Sequence, residues 1–227
     1  MKTISISVLD AYTYIPTVNA INKTLEVLGD KIIKVYWFSD VDYTWQKNIE
    51  TQWIKIPRMK NYEDDYKTIS LKLMPHICIE DYNLILHSDG FAVNRSAWTD
   101  EFFEYDYIGA AWGDGRVGNG GFCLRSRKLY DALLDLNVGT KTSDYNHILQ
   151  NPDFHIINAQ GQYKIPEDNV ICKIYKDELE TKYGIKFAPT HIANRFSVEH
   201  NYNHEWVGKS LGFHGKHGIA KHYGIEL

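Results

Sequence analysis

Through its first ninety residues the chain alternates short apolar runs with segments of helical spacing, and this pattern narrows the possible folds more than any other feature. Ile4, Ile6 and Val8 begin an extended strand. Val18, Ile21, Leu25 and Leu28 follow at helical spacing before a stop at Gly29. Residues 32–38 form a second buried strand ending at Ser39-Asp40, and a third at 53–56 stops at Pro57. Residues 64–79 read as a helix interrupted late by Pro75, and 82–86 as a strand running directly into His87-Ser88-Asp89-Gly90. Alternation of this kind specifies an α/β fold, a mainly parallel sheet with helices on its faces. Such sheets bind ligands beyond the carboxyl ends of their strands. Asp10, Asp40 and Asp89 all fall at predicted strand ends, and an acidic edge suits a divalent cation and ribose hydroxyls.

The second half changes character. A short strand at 106–111 leads to Trp112-Gly113-Asp114-Gly115 and then to Val117-Gly118-Asn119-Gly120-Gly121-Phe122. Residues 126–136 form a helix with Arg125, Arg127 and Lys128 at its start. Ile165-Pro166-Glu167-Asp168 opens another that runs to about Tyr183 and closes at Gly184, and short strands and loops follow. With no repeat, linker or low-complexity tract, residues 1–227 read as a single domain. Its nucleotide-binding half is about 1–110 and its acceptor-facing half about 111–227.

Composition removes several function classes. A net charge of −4 and a pI near 6.2 argue against a nucleic-acid partner. No run approaches the ~20 apolar residues of a membrane span, and residues 1–9 are too short for a signal peptide. Cys78, Cys123 and Cys172 are an odd set without CxxC spacing, so a reducing, cytoplasmic setting is the simpler inference. Usage rich in Lys, Ile, Asn and Tyr fits an AT-rich genome, viral or bacterial; in a virus the setting would be the host cytoplasm. Nothing in the sequence sets the oligomeric state.

Four segments can carry chemistry. Asp89, at a strand end and followed by a glycine that permits a tight turn, is well placed to offer a carboxylate to a metal, although Asp-Gly alone is a frequent turn dipeptide. Gly118-Asn119-Gly120-Gly121 matches neither a dinucleotide fingerprint nor a P-loop, yet absent side chains let a sugar or pyrophosphate approach the main chain. Glu167-Asp168 follows Pro166 at a helix start, where the dipole favours acidic groups, and a carboxylate there can accept a proton from an attacking hydroxyl. Six of the ten histidines lie from His191 onward (His191, His200, His204, His214, His217 and His222). His214 is flanked by small residues in Gly212-Phe213-His214-Gly215.

Taken in order, these segments resemble the DUF5672 family, a group of inferred glycosyltransferases in bacteria, eukaryotes and large viruses. The resemblance rests on Asp89-Gly90-Phe91, Val93-Asn94, Trp98, Asp100-Glu101-Phe102, Tyr105-Asp106-Tyr107-Ile108-Gly109-Ala110, Trp112, 117–127, Glu167-Asp168 and 212–215. It spans roughly Tyr66 to Gly215. The implied fold is GT-A, and the implied activity is transfer of a sugar from a UDP- or GDP-sugar to a glycan or other hydroxyl acceptor, with Mn²⁺ or Mg²⁺. GT-A enzymes usually carry Asp-x-Asp after the fourth strand; here His87-Ser88-Asp89 stands in its place. In the similar β-1,4-galactosyltransferases the last Asp of that motif binds the metal. The comparison therefore implies Asp89 and His214 as ligands, with His87 as an additional candidate. Their Glu-Asp-Asp motif, whose middle carboxylate is the base, corresponds to Glu167-Asp168-Asn169, which implies Asp168 as base and Glu167 on acceptor hydroxyls.

On that footing Asp10 and Asp40 would serve the nucleotide edge, Lys72 would reach a phosphate, Gly120 and Gly121 would seat the donor sugar, and Trp112 would wall it. The main rival is a non-catalytic nucleotide- or carbohydrate-binding protein on the same fold, favoured by the replaced first Asp. A nucleotidyltransferase ranks lower, because residues 9–14 carry no glycine-rich basic loop.

Overall fold

Four parallel strands form the centre of the main sheet: β1 (Ile4–Leu9), β2 (Ile32–Ser39), β3 (Glu50–Lys55) and β4 (Tyr82–Leu86), in the spatial order β3-β2-β1-β4. The computed structural model describes residues 2–43, 49–158, 160–199 and 204–215. After β5 (Gly90–Ala92), which leaves this sheet, β6 (Tyr107–Ile108) and β7 (Phe122–Ser126) complete it, β7 antiparallel to β4 and β6 antiparallel to β7. A hairpin of β8 (Ile156–Ile157) and β9 (Tyr163–Lys164) follows. A small sheet in the order β10-β11-β5 joins β10 (Ser197–Glu199) and β11 (Gly212–His214) to β5.

Every residue of β1 is buried, as expected for a parallel strand covered on both faces. Ile4, Ile6 and Val8 pack under α1 (Ile15–Leu28), against Ile21, Leu25 and Leu28. Ser5 and Ser7, one position out of phase, face the opposite side. There Asn83 Nδ2 donates to both hydroxyls at 2.7 Å, and Tyr130 OH donates to Asn83 Oδ1 at 2.9 Å. The polar alternation is thus satisfied inside the core rather than by solvent.

On that second face lie α2 (Tyr62–Thr68), a widened π turn at Ile69–Leu73, α3 (Met74–Ile77) and α4 (Arg127–Leu136). The helix expected at 64–79 is therefore divided. Pro75 has no N–H to direct at the carbonyl four residues back, and the π turn precedes it. The helix expected from 166 to 183 is divided likewise. It comprises α5 (Glu167–Asn169), a π turn at Val170–Ile174, a break at Tyr175 and α6 (Lys176–Tyr183), which ends at Gly184 with φ 61°. The tail also holds a helix that the sequence reading omitted, α7 (Thr190–Phe196), whose Ile192 and Phe196 join the α1 side of the core.

The chain leaves β1 toward β2 on one side, while β4 lies on the other. This is a topological switch point, and a crevice opens beyond the ends of β1 and β4. No helix among the described residues is long and apolar enough to cross a membrane.

Candidate functional site

A cavity of about 410 Å³ occupies the switch point, lined from β1 by residues 9–13 and from β4 by residues 86–89, with Thr17, Tyr62 and His214 completing the wall. A second cavity of about 160 Å³ shares Tyr62, His87 and His214 with it and extends to Gly120, Gly121, Glu63, Glu167 and Asp168. The aspartate ends of β1 and β4 thus border the first cavity and the acidic pair of α5 the second, on either side of a shared wall.

Asp10 uses its carboxylate to shape the first cavity. Its Oδ1 accepts from the N–H groups of Tyr12 (2.7 Å) and Thr13 (2.8 Å), and its Oδ2 from Tyr14 N–H (2.9 Å) and the hydroxyls of Thr13 (2.6 Å) and Thr17. The turn brings Tyr14 to φ 43° just ahead of α1. With both oxygens engaged, Asp10 orders the loop rather than presenting a free carboxylate. Asp40 accepts from Tyr14 OH at 2.7 Å, and hydrogen bonding to that carboxylate is the main reason the Tyr14 phenol is pushed up. Asp40 lines neither cavity.

Three groups with metal-binding atoms converge where the cavities meet, His87 and His214 on the shared wall and Asp89 beside them in the first cavity. His87, Asp89 and His214 each offer one ligand atom, and these atoms lie within 4.8 Å of one another. His214 Nε2 stands 3.6 Å from Asp89 Oδ1. The rings of His87 and His214 meet edge to face at 5.4 Å. His87 Nε2 is paired with Tyr66 OH at 2.6 Å, and burial, with His214 second, pushes the His87 imidazole down to about 3. His214 is also lowered, chiefly by burial. Two neutral imidazoles and a carboxylate make a donor set that fits a divalent transition ion better than Mg²⁺, which prefers oxygen ligands. Local folding explains the convergence: β5 pairs antiparallel with β11, setting His214 opposite Gly90, and Gly215 N–H donates to Asp89 O at 3.0 Å.

The glycine cluster has a steric role in this convergence. A Cβ at Gly121 would fall on the His214 imidazole, and one at Gly120 on the Glu167 carboxylate. The space the sequence assigns to a donor sugar is therefore partly taken by these two side chains. Gly120 N–H donates to Asp168 Oδ2 at 3.2 Å, Gly121 N–H to Asn119 Oδ1 at 3.1 Å, and His87 N–H to Gly121 O at 2.8 Å. Asn119 itself holds φ 56°.

Glu167 is buried, and its Oε1 receives Arg125 Nη2 at 2.5 Å, while its Oε2 has no partner. Burial pushes the Glu167 carboxyl up to about 7, against the opposing pull of Arg125. Arg125, fully buried, also donates to Ser70 Oγ at 3.0 Å. Asp168 is half-buried, with Oδ1 accepting from Asn169 N–H at 2.8 Å.

Lys72 and Trp112, like Asp40, stand apart from both cavities. Lys72 Nζ donates to Asn137 Oδ1 at 2.6 Å beside the end of α4. The Trp112 ring carries Lys173 Nζ over it at 4.3 Å and packs against Gly118. His191 is exposed on α7 and lines neither cavity. His200, His217, His222 and the side chain of His204 lie outside the described residues.

Sequence reasoning passed over Tyr66, Lys67, Arg125 as a site residue, and Glu199. Lys67 is fully buried and donates to Asp64 Oδ1 (2.9 Å), Thr142 Oγ1 (3.3 Å) and Ile165 O (2.9 Å), tying α2 to the segment that enters α5. A lysine at a core position of a helix is a signal that can be read; Glu199 offers none, because only its strand partner gives it meaning.

Comparison with known proteins comes from two sides. A family model described as a protein of unknown function, DUF5672, matches residues 70–214, a span that includes His87, Asp89, Gly120, Gly121, Glu167, Asp168 and His214 but not Asp10. No curated protein matches the chain. Among solved structures, the crystal structure of a glycosyltransferase involved in the glycosylation of the major capsid of PBCV-1 is similar, with a TM-score of 0.56 and 11% identity over 98% of each chain. At that identity the likeness is one of fold: α/β, with a central, mainly parallel sheet flanked by helices.

Proposed function

The chain belongs to the DUF5672 family, and from that premise we propose that it is a nucleotide-sugar-dependent glycosyltransferase of the GT-A type, formed as a single domain. The observation that carries this reading is the placing of His87, Asp89 and His214, and of Glu167 and Asp168, around two cavities that share a wall at the switch point. The likeness of fold to the glycosyltransferase involved in glycosylation of the PBCV-1 major capsid supports it.

The larger cavity suits the nucleoside diphosphate, with Tyr62 and Tyr12 as flat walls and the Asp10-ordered loop beneath. Among the described residues its lining includes no Lys or Arg, and neither does that of the smaller cavity. A divalent cation held by Asp89 and His214, with His87 beside them, would offset the charge that develops on the diphosphate leaving group. Mn²⁺ fits the two-imidazole donor set better than Mg²⁺.

Asp168 is the base. It takes the proton of the acceptor hydroxyl as that oxygen bonds to the anomeric carbon, and the bond to the diphosphate breaks with its electron pair leaving on the nucleotide. Attack from the face opposite the leaving group inverts the anomeric centre. Gly120 N–H holds Asp168 Oδ2 in place, and Glu167, anchored by Arg125, offers its unpartnered Oε2 to a sugar hydroxyl. The acceptor is a glycan or another hydroxyl compound.

A panel of UDP- and GDP-sugars with Mn²⁺, read by thermal shift and by nucleoside diphosphate release, tests the proposal. One or more donors should stabilise the protein and release diphosphate. Asp168→Asn should keep donor and metal binding while slowing transfer by about 10²–10⁴-fold. Binding without any release, in wild type and variant alike, would identify a binding protein on the same fold.

A further inference from the structure

The His214 imidazole has two ends with different surroundings. Its Nε2 looks toward Asp89, 3.6 Å from Oδ1, and its Nδ1 toward Glu199, 3.9 Å from Oε1. Glu199 is the direct partner of His214 in the parallel β10–β11 ladder, so the carboxylate and the imidazole stand on the same side of the small sheet. Among the described residues, both His214 Nδ1 and Glu199 Oε2 are buried without a hydrogen-bond partner. Burial is the chief cause that pushes the Glu199 carboxyl up to about 7, with Asp168 adding to it and a hydrogen bond from the Asn119 side chain opposing it. Asn119 in turn accepts the N–H of Gly121, the residue whose missing Cβ leaves room for the imidazole.

An imidazole that ligates through one nitrogen must carry its proton on the other, and a carboxylate beside that second nitrogen fixes both tautomer and ring orientation. We infer that Glu199 is the positioning residue of the metal cluster. It holds His214 with Nδ1 protonated and Nε2 turned toward Asp89, and through Asn119 it couples that imidazole to the glycine loop on which Asp168 rests. This inference depends on the metal reading given above, and the test separates the two.

The test is Mn²⁺ binding by EDTA-treated, dialysed full chain, followed by calorimetry, together with ¹⁵N spectra of the histidine side chains. Wild type should bind, and His214→Ala should lose binding. Glu199→Ala should bind about 10–100-fold more weakly, and its His214 should pass from a single Nδ1–H tautomer to a mixture. Glu199→Gln, whose amide oxygen can still accept from Nδ1–H, should restore most of the affinity and the single tautomer. If the alanine variant does not fold, Glu199→Asp replaces it; its shorter side chain withdraws the carboxylate, and it should bind more weakly than Glu199→Gln. Wild-type affinity and tautomer in Glu199→Ala, or in Glu199→Asp where that variant stands in, alongside lost binding in His214→Ala, would overturn the role of Glu199 alone. Absence of Mn²⁺ binding by wild type, or its persistence in His214→Ala, would overturn the metal reading and this inference with it.

Discussion

Replacing Glu167 with Gln preserves the volume of the side chain but leaves Arg125 buried without a counter-charge. Breaking a buried pair in this way costs about 3–5 kcal/mol, so at a pH above 7, where the Glu167 carboxyl is ionised, Glu167→Gln should lower the urea midpoint substantially, whatever its effect on transfer. Gly121→Ala acts on the opposite wall. The added methyl displaces the His214 imidazole, and the expected result is lost Mn²⁺ binding with a stability cost of only about 1–3 kcal/mol, measured by calorimetry and urea denaturation. His87 makes a pH prediction. Its imidazole is pushed from 6.5 down to about 3, so in that window the unfolded chain holds a proton the folded protein refuses. Stability contributed at this position is present above pH 6.5 and lost as the pH falls toward 3. Glu167 and Glu199, raised to about 7, act in the opposite sense between pH 4.5 and 7, so the comparison must be made at one residue. In EDTA, wild type should lose more stability than His87→Gln as the pH falls from about 6.5 to 4; equal losses would clear His87.

Elements decide which of these residues could be read in advance. Strand ends, glycine runs and a proline-led acidic pair all have local marks, which is why Asp89, Gly120, Gly121 and Asp168 stand out in the sequence and meet in the structure. Arg125 was legible only as a cation at the start of a helix, whereas it closes β7 from inside the core. Glu199 was not legible at all, since its meaning depends on the register of β10 against β11. The two long helices were legible in extent but not in their π turns, whose i→i+5 bonds leave no residue pattern of their own. The small sheet is the element on which the cluster depends most. Phe213, fully buried next to His214, meets Phe91 of β5 edge to face at 4.9 Å. Phe213→Ala should cost about 3–5 kcal/mol and weaken Mn²⁺ binding as well, because the strand carrying His214 loses its anchor. Unchanged metal affinity in a folded variant would show that β11 is held by its ladder bonds alone.

At the scale of the molecule, the alternation of strands and helices sufficed to place Asp10 and Asp89, though not Asp40, at the crevice beyond the strand ends. It could not show that a strand from the far end of the chain would return there. The charge of the assembled site makes a further prediction. With no Lys or Arg among the described residues lining either cavity, binding of UDP or GDP should disappear in EDTA and return with Mn²⁺; affinity retained in EDTA would mean that the diphosphate charge is met by groups other than these. The pairing of β5 with β11 also has a consequence in time. Synthesis is vectorial, and at ~5–20 residues per second the ribosome needs roughly 6–25 s to pass from Asp89 to His214. Throughout that interval the nascent chain carries His87 and Asp89 while the second imidazole, His214, has not yet been made. A cation that requires both Asp89 and His214 can be captured only after β11 has been synthesised and docked, so its uptake would report a chain complete through that strand, and a ribosome stalled before position 212 would leave a product lacking the His214 ligand.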